Sequence, residues 1–144
     1  MGNYIWTVTT MNKLFGVMLL LTFTSCVVDY YDGRLKIVNQ SDKVICFDHE
    51  VDTILDVPSI NKKEFFINER IEPGDTANVV LSGSSTKWIM KVSSGKDSTL
   101  SIFVFDYNQV LTNDWNTLRM NKKYKRLDYK LDDLNRNNWT VIVE

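Results

Sequence analysis

98-STLSIFVFD-106 is the stretch from which the fold can be read. Leu100, Ile102 and Val104 fall on one side of an extended chain and Phe103 and Phe105 on the other, because strand side chains alternate between faces. A strand apolar on both faces has to be covered on both, so this segment is expected to be the central strand of the domain. Toward the C-terminus, Leu111, Trp115 and Leu118 recur at i, i+4 and i+7. That is a helical spacing, with Thr112 or Asn113 as a candidate N-cap. Alternation returns over 124–131, and Asp132-Asp133-Leu134 reads as one capped helical turn. Residues 139–143 close the chain as a strand with Trp139, Val141 and Val143 on one face.

Working toward the N-terminus, Ser94-Gly95-Lys96-Asp97 is a turn, and 87–93 before it places Trp88, Met90 and Val92 on one strand face. Residues 76–82 set Ala77, Val79 and Leu81 against Thr76, Asn78 and Ser82, a half-buried strand entered through the turn Glu72-Pro73-Gly74-Asp75. Residues 64–68 (EFFIN) read as a further strand. Residues 49–60, which contain Pro58 and lack a clean period, read as loop with a single helical turn. The β-rich runs 34–39 and 43–48, separated by Gln40-Ser41-Asp42, predict a hairpin. Together these segments predict a mainly all-β domain. Its expected form is an antiparallel β-sandwich of about seven to eight strands with one or two short helices near the C-terminus.

Ahead of this domain lies 14-LFGVMLLLTFTSC-26. An apolar run of about ten residues is too short to span a bilayer, which needs ~20, but fits a secretory signal. Lys13 is the only charged side chain before it, and Met11-Asn12-Lys13 would also open a compact signal. Thr24 and Ser25 supply the small pair that a signal peptidase closes around, and Cys26 follows. With Phe23 in place of the usual Leu, the segment resembles bacterial lipoprotein signals, in the relaxed Ser-Cys form of some Gram-negative gut anaerobes. The expectation is a signal peptide over 1–25, a lipidated tether over 26–33 and a domain over 34–144. Cys26 is the lipid-attachment residue, and two or three acyl chains would anchor it stably where one is marginal. Asp29 and Asp32 in the tether resemble export signals of surface-exposed lipoproteins, or else simply keep the linker solvated.

Composition narrows the function classes. The chain has 144 residues, with 17 basic and 18 acidic side chains. A balance so near neutral gives no electrostatic footprint for nucleic acid or anionic lipid. Lipidation of Cys26 would leave Cys46 with no intramolecular partner, so a disulfide-stapled fold is not expected. Cys46 lies in the apolar run 44–47 and reads as a small packed hydrophobe.

The C-terminal third carries a resemblance. LSIFVFD at 100–106, Trp115 and YKRLDYKLDDLNRNNW at 124–139 resemble a group of small lipoproteins from the same gut anaerobes. Asn39-x-Ser41, Ile45-x-Phe47-Asp48 and Ile71-x-Pro73-Gly74 match it more loosely. Leu127 stands where that group's pattern has Tyr, and its frequent terminal Pro is missing. The resemblance implies an address and a fold. It implies no chemistry.

Catalytic signatures are sparse. His49 is the only histidine, so a Ser/His/Asp or Cys/His nucleophilic system would have to use it. Cys46 and His49 would point to opposite faces of a strand. One histidine and one free cysteine cannot complete a zinc site without carboxylates, and Asp106-Tyr107-Asn108 fails the EF-hand pattern at Val110 and Leu111. Neither a metal nor a cofactor is expected. Carboxylates remain: Asp48, Glu50, Asp52 and Asp56 cluster around one loop, Asp132-Asp133 lie near Trp139, and glycoside hydrolysis needs only two. Tyr30 and Tyr31 are expected to be exposed, and Trp88 and Trp139 buried.

These readings converge on a lipid-anchored outer-membrane protein, on either the surface or the periplasmic face. Its expected role is non-catalytic: a binding or structural module for an unknown envelope protein or extracellular ligand. A small carboxylate-based, glycosidase-like hydrolase and a pilus-like assembly subunit are the alternatives.

Overall fold

The computed structural model describes residues 30–144. The signal segment read over 1–25, the lipid-attachment residue Cys26 and residues 27–29 of the tether lie outside the described residues. In chain order the elements are β1 (Tyr31–Asn39), β2 (Ile45–Glu50), α1 (Lys63–Asn68), β3 (Thr76–Ser82), α2 (Lys87–Ser94) and a 3-10 turn (Lys96–Ser98). Then come β4 (Thr99–Asp106), α3 (Tyr107–Thr112), α4 (Trp115–Met120), β5 (Lys125–Lys130), α5 (Leu131–Arg136) and β6 (Thr140–Val143). The described residues are thus mainly β, with six strands and five short helices. That is fewer strands and more helices than the sequence pattern predicts.

The strands form two three-stranded sheets, ordered β3-β1-β6 and β2-β4-β5. β4 is the middle strand of its sheet and is buried on both faces, as its composition requires. Leu100, Ile102 and Val104 share one cluster with Leu35 and Ile37 of β1, Val141 and Val143 of β6, and Trp88 of α2. Phe103 and Phe105 join Cys46, Phe66, Val110, Trp115 and Leu118 in a second cluster. That second core lies under α1, α3 and α4. The pairings are antiparallel except β1–β6, which is parallel, so the first sheet is mixed.

Several local readings need correction. Residues 64–68 are helical, not extended: Phe-Phe-Ile is continuously apolar, and so short a run has no period to separate strand from helix. Residues 87–94 are also a helix. Trp88 and Val92 satisfy both an i, i+2, i+4 and an i, i+4 pattern, but Met90 is 58% exposed, as only the helix allows. The carboxylate of Asp32 accepts the Trp88 N–H at 2.9 Å, satisfying a donor that no local cap takes. The single helix expected after β4 is two. Asp106 caps the first by accepting from the Asn108 and Gln109 N–H groups, and Asp114 caps the second by accepting from Thr117. Leu111 consequently ends outside the buried face. β1 begins at Tyr31, ahead of the Arg34 read as its start, with Tyr30 and Tyr31 exposed.

β1 and β2 are not a hairpin. They turn a corner and enter different sheets. The fully buried side chain of Asn39 holds that corner, with Nδ2 donating to Lys43 O (2.7 Å) and Ile71 O (3.0 Å). Its Oδ1 accepts from the Ser41 N–H (3.1 Å) and hydroxyl (2.6 Å). Removing the amide deletes all four of these hydrogen bonds, each worth about 0.5–1.5 kcal/mol net, and leaves Ile71 O with only the Ile45 N–H and Lys43 O with only the Ser41 hydroxyl. Asn39→Ala is therefore expected to lower unfolding stability by about 2–4 kcal/mol, read as a lower denaturant midpoint at unchanged slope. The exposed Asn78→Ala should stay within about 0.5 kcal/mol. Equal midpoints for the two variants would contradict the corner's role.

Candidate functional site

The corner leaves two strand edges facing a common space. Lys36 N–H donates to Trp139 O (2.9 Å) and Gln40 N–H to Val143 O (2.7 Å), so the even-numbered residues of β1 turn their backbone groups toward β6. The odd-numbered ones therefore face β3, in the register Leu35↔Val79 and Ile37↔Ala77. On β3, Ala77 and Val79 bond back to β1, and the N–H and C=O of Asn78 and Val80 point away from it. On β2, Ile45 exchanges hydrogen bonds with Ile71 (3.1 and 2.9 Å), on the side opposite β4. By alternation Phe47 and His49 turn their backbone groups to that side as well. β2 and β3 are both end strands, and a cavity of about 460 Å³ lies between them. Residues 47–50 line one wall and 77–80 the other. α1 contributes Phe65 and Phe66, with Glu69 just past its end, and α2 contributes Lys91.

Asp48 anchors the β2 wall. Its Oδ2 pairs with the Arg119 guanidinium, and its Oδ1 accepts the His49 N–H at 2.8 Å. Arg119 is buried, donates through Nε and Nη2 to Asp56 O (3.0 and 2.8 Å), and lies over the Trp115 ring. Its five donors suit it to bridging a carboxylate and a loop carbonyl at once. Sequence reading did not single out Arg119. Only the helical spacing from Trp115 would have placed it on the buried face of α4.

His49 sits edge-on to Trp88, ring centroids 5.0 Å apart, with Lys91 Nζ 3.5 Å from its Nδ1. Gly95 lets α2 approach this closely: a Cβ there would lie 2.6 Å from Val51 Cβ. Burial, reinforced by the Lys91 charge, pushes the imidazole down to about 4 and outweighs the opposing Asp48 carboxylate. Glu50 is displaced the other way. Burial raises its pKa, and the Asp48 and Asp56 carboxylates add to the rise while Lys91 and Arg119 oppose it.

The remaining candidates scatter. Cys46 is fully buried in the second core, on the opposite face of β2 from His49, and burial pushes its thiol up to about 12. Of the loop carboxylates, Asp48 and Glu50 line the groove. Asp52 lies with Asp97 in a separate small hollow. Asp133 accepts the Lys130 N–H at the start of α5 and pairs with Arg136, which accounts for it structurally. Trp88 and Trp139 are buried as expected, with Trp139 Nε1 donating to Asn135. Among the described residues, no three His, Cys, Asp or Glu side chains gather as metal ligands, and no helix is long and apolar enough to cross a membrane.

The imidazole sets a pH dependence. An unfolded histidine titrates near 6.5 and the folded one at about 4, so between these values the unfolded chain holds the extra proton. Stability therefore falls as pH drops from about 6.5 through about 4, by at most about 3 kcal/mol from this group. Glu50, raised in the folded state, acts in the opposite sense as it protonates. In urea unfolding across this range, His49→Gln should lose less stability than the unsubstituted protein on acidification. Parallel pH profiles would contradict the assignment.

No protein-family model, curated protein or solved structure matches this chain.

Proposed function

We propose that this chain is a lipid-anchored, non-catalytic binding module of a bacterial outer membrane. Cys26 carries the lipid, the two sheets pack as a β-sandwich, and the ligand lies in the groove between β2 and β3. The observation carrying this reading is that two strand edges with outward-facing backbone groups line one cavity. The shared cluster joining β1, β4, β6 and α2 supports the sandwich. The segment 14–26 supports the anchor.

Nucleophilic catalysis fits the groove poorly. Its histidine is held neutral beside a lysine rather than oriented by a carboxylate, and among the described residues no serine or cysteine lines the cavity. A carboxylate hydrolase is the second reading, favoured by the raised pKa of Glu50 next to Asp48. Against it, Asp48 is committed to Arg119 and to the His49 N–H.

Photo-crosslinking in cells tests the groove. A crosslinking residue at Phe65, on the groove, should form adducts that the same residue at Ile142, on β6, does not. In the same cells Cys26→Ala should abolish fatty-acid labelling. Equal adducts from both positions, or none from Phe65, would remove the groove from the account, and persistent labelling would remove the anchor. Hydrolysis of glycans or peptides by the purified protein, lost in Glu50→Gln, would replace binding with catalysis.

A further inference from the structure

Resting on the groove reading above, we infer that the ligand is an extended peptide segment bearing a lysine or arginine, which adds as a new strand to the outer edge of β3. The end strands of the two sheets differ in how they are protected. Open edges are ordinarily guarded by charge, proline, bulges or brevity, because their unpaired N–H and C=O groups recruit any extended chain. β5 reads KRLDYK and is charged along its length, and β6 has only four residues. On β2 the carboxylate of Asp48 occupies the His49 N–H. β3 reads TANVVLS, with neither charge nor proline. The bulge in its pairing with β1 falls between Asp32 and Leu35, opposite Val80, and its extra residue lies on β1, not on β3. Its Val80 is 52% exposed. It is the unguarded edge among the described strands, and it borders the cavity.

Asn78 and Val80 are two residues apart, the repeat at which one strand offers its backbone groups to a neighbour. An incoming segment would accept from their N–H groups and donate to their carbonyls, as in strand addition generally. Side chains of that segment turned into the groove meet Glu50 and Glu69 against Lys91, since Asp48 is already neutralised by Arg119. The surplus is negative, and Glu50 in particular lacks full compensation. A lysine or arginine head supplies it. The half-exposed Phe65 ring at the rim offers apolar surface for the stem of such a side chain.

The test uses the purified protein and synthetic, threonine-rich peptides of about ten residues, varied at one central position through Lys, Arg, Gln and Glu. The lysine peptide is also made N-methylated at alternate residues, in each of the two registers. Fluorescence anisotropy should show Lys and Arg peptides binding at least about tenfold tighter than Gln or Glu peptides. One methylation register should abolish binding and the other should spare it, because only one edge of an added strand faces β3. Val80→Pro, which removes an outward N–H and no β1 bond, should weaken binding by about tenfold or more with the unfolding midpoint retained. Binding indifferent to methylation and to Val80→Pro would overturn strand addition. Binding indifferent to the central charge would overturn the basic ligand. If no peptide binds while Phe65 still crosslinks in cells, the inference falls and the groove reading stands. A Val80-dependent self-association of the protein would make a second copy the occupant and overturn the proposal.

Discussion

The buried amide of Asn39 is the constraint on which the rest of the arrangement depends. The chain leaves β1 and must enter a different sheet within the short segment before Ile45. A corner of that kind takes backbone carbonyls out of ladder pairing, and buried carbonyls without donors are costly. One asparagine side chain serves both ends of the turn, donating to Lys43 and Ile71 while accepting from Ser41. Glutamine would carry the same groups on a longer stem, and aspartate would lack the donors. Because Ile71 is held against Ile45, β2 and β3 leave the same corner for separate sheets. The space between them is the groove.

β4 supplies the second organising constraint. With aliphatic side chains on one face and phenylalanines on the other, it needs a cover on each. The β3-β1-β6 sheet and α2 provide the first, and α1, α3 and α4 the second. The Arg119–Asp48 pair lies where the helical cover meets β2. Pairs of this kind contribute little net stability over an apolar replacement, but deleting one partner leaves the other charge uncompensated. Here the pair also ties the loop at Asp56 to α4 and places two opposed charges beside Glu50, whose carboxyl is raised first by burial. Core, loop and groove wall are therefore one connected unit.

Much of this was legible in the sequence, and the failures are physical ones. β4 declares itself because the six apolar or small residues from Leu100 to Phe105 leave no solvent face. β3, β6 and the turn at Asp132-Asp133 followed from alternation and capping chemistry. α2 reads as a strand by pattern because Trp88 and Val92 fit either period and Met90 completes a strand face, whereas Met90 is exposed in the helix. The β1–β2 hairpin was misread because a polar turn between two β-rich runs does not encode which sheet each run enters. The groove was invisible for a related reason. Its walls are defined by which backbone groups each strand leaves unpaired, a property of register and sheet order rather than of residue type. Asp48 and Glu50 were noticed as members of an acidic cluster, but not that Arg119, far along the chain, would neutralise one and leave the other.

The unpaired edge of β3 is the central claim, and residue-resolved amide hydrogen exchange of the free protein measures it most directly. The account predicts an alternating pattern. Ala77 and Val79, bonded to β1, should exchange slowly, and Asn78 and Val80, facing the groove, should exchange at rates near those of unstructured chain. Uniform protection across Thr76–Ser82 would mean that the edge is already covered, and would contradict the account.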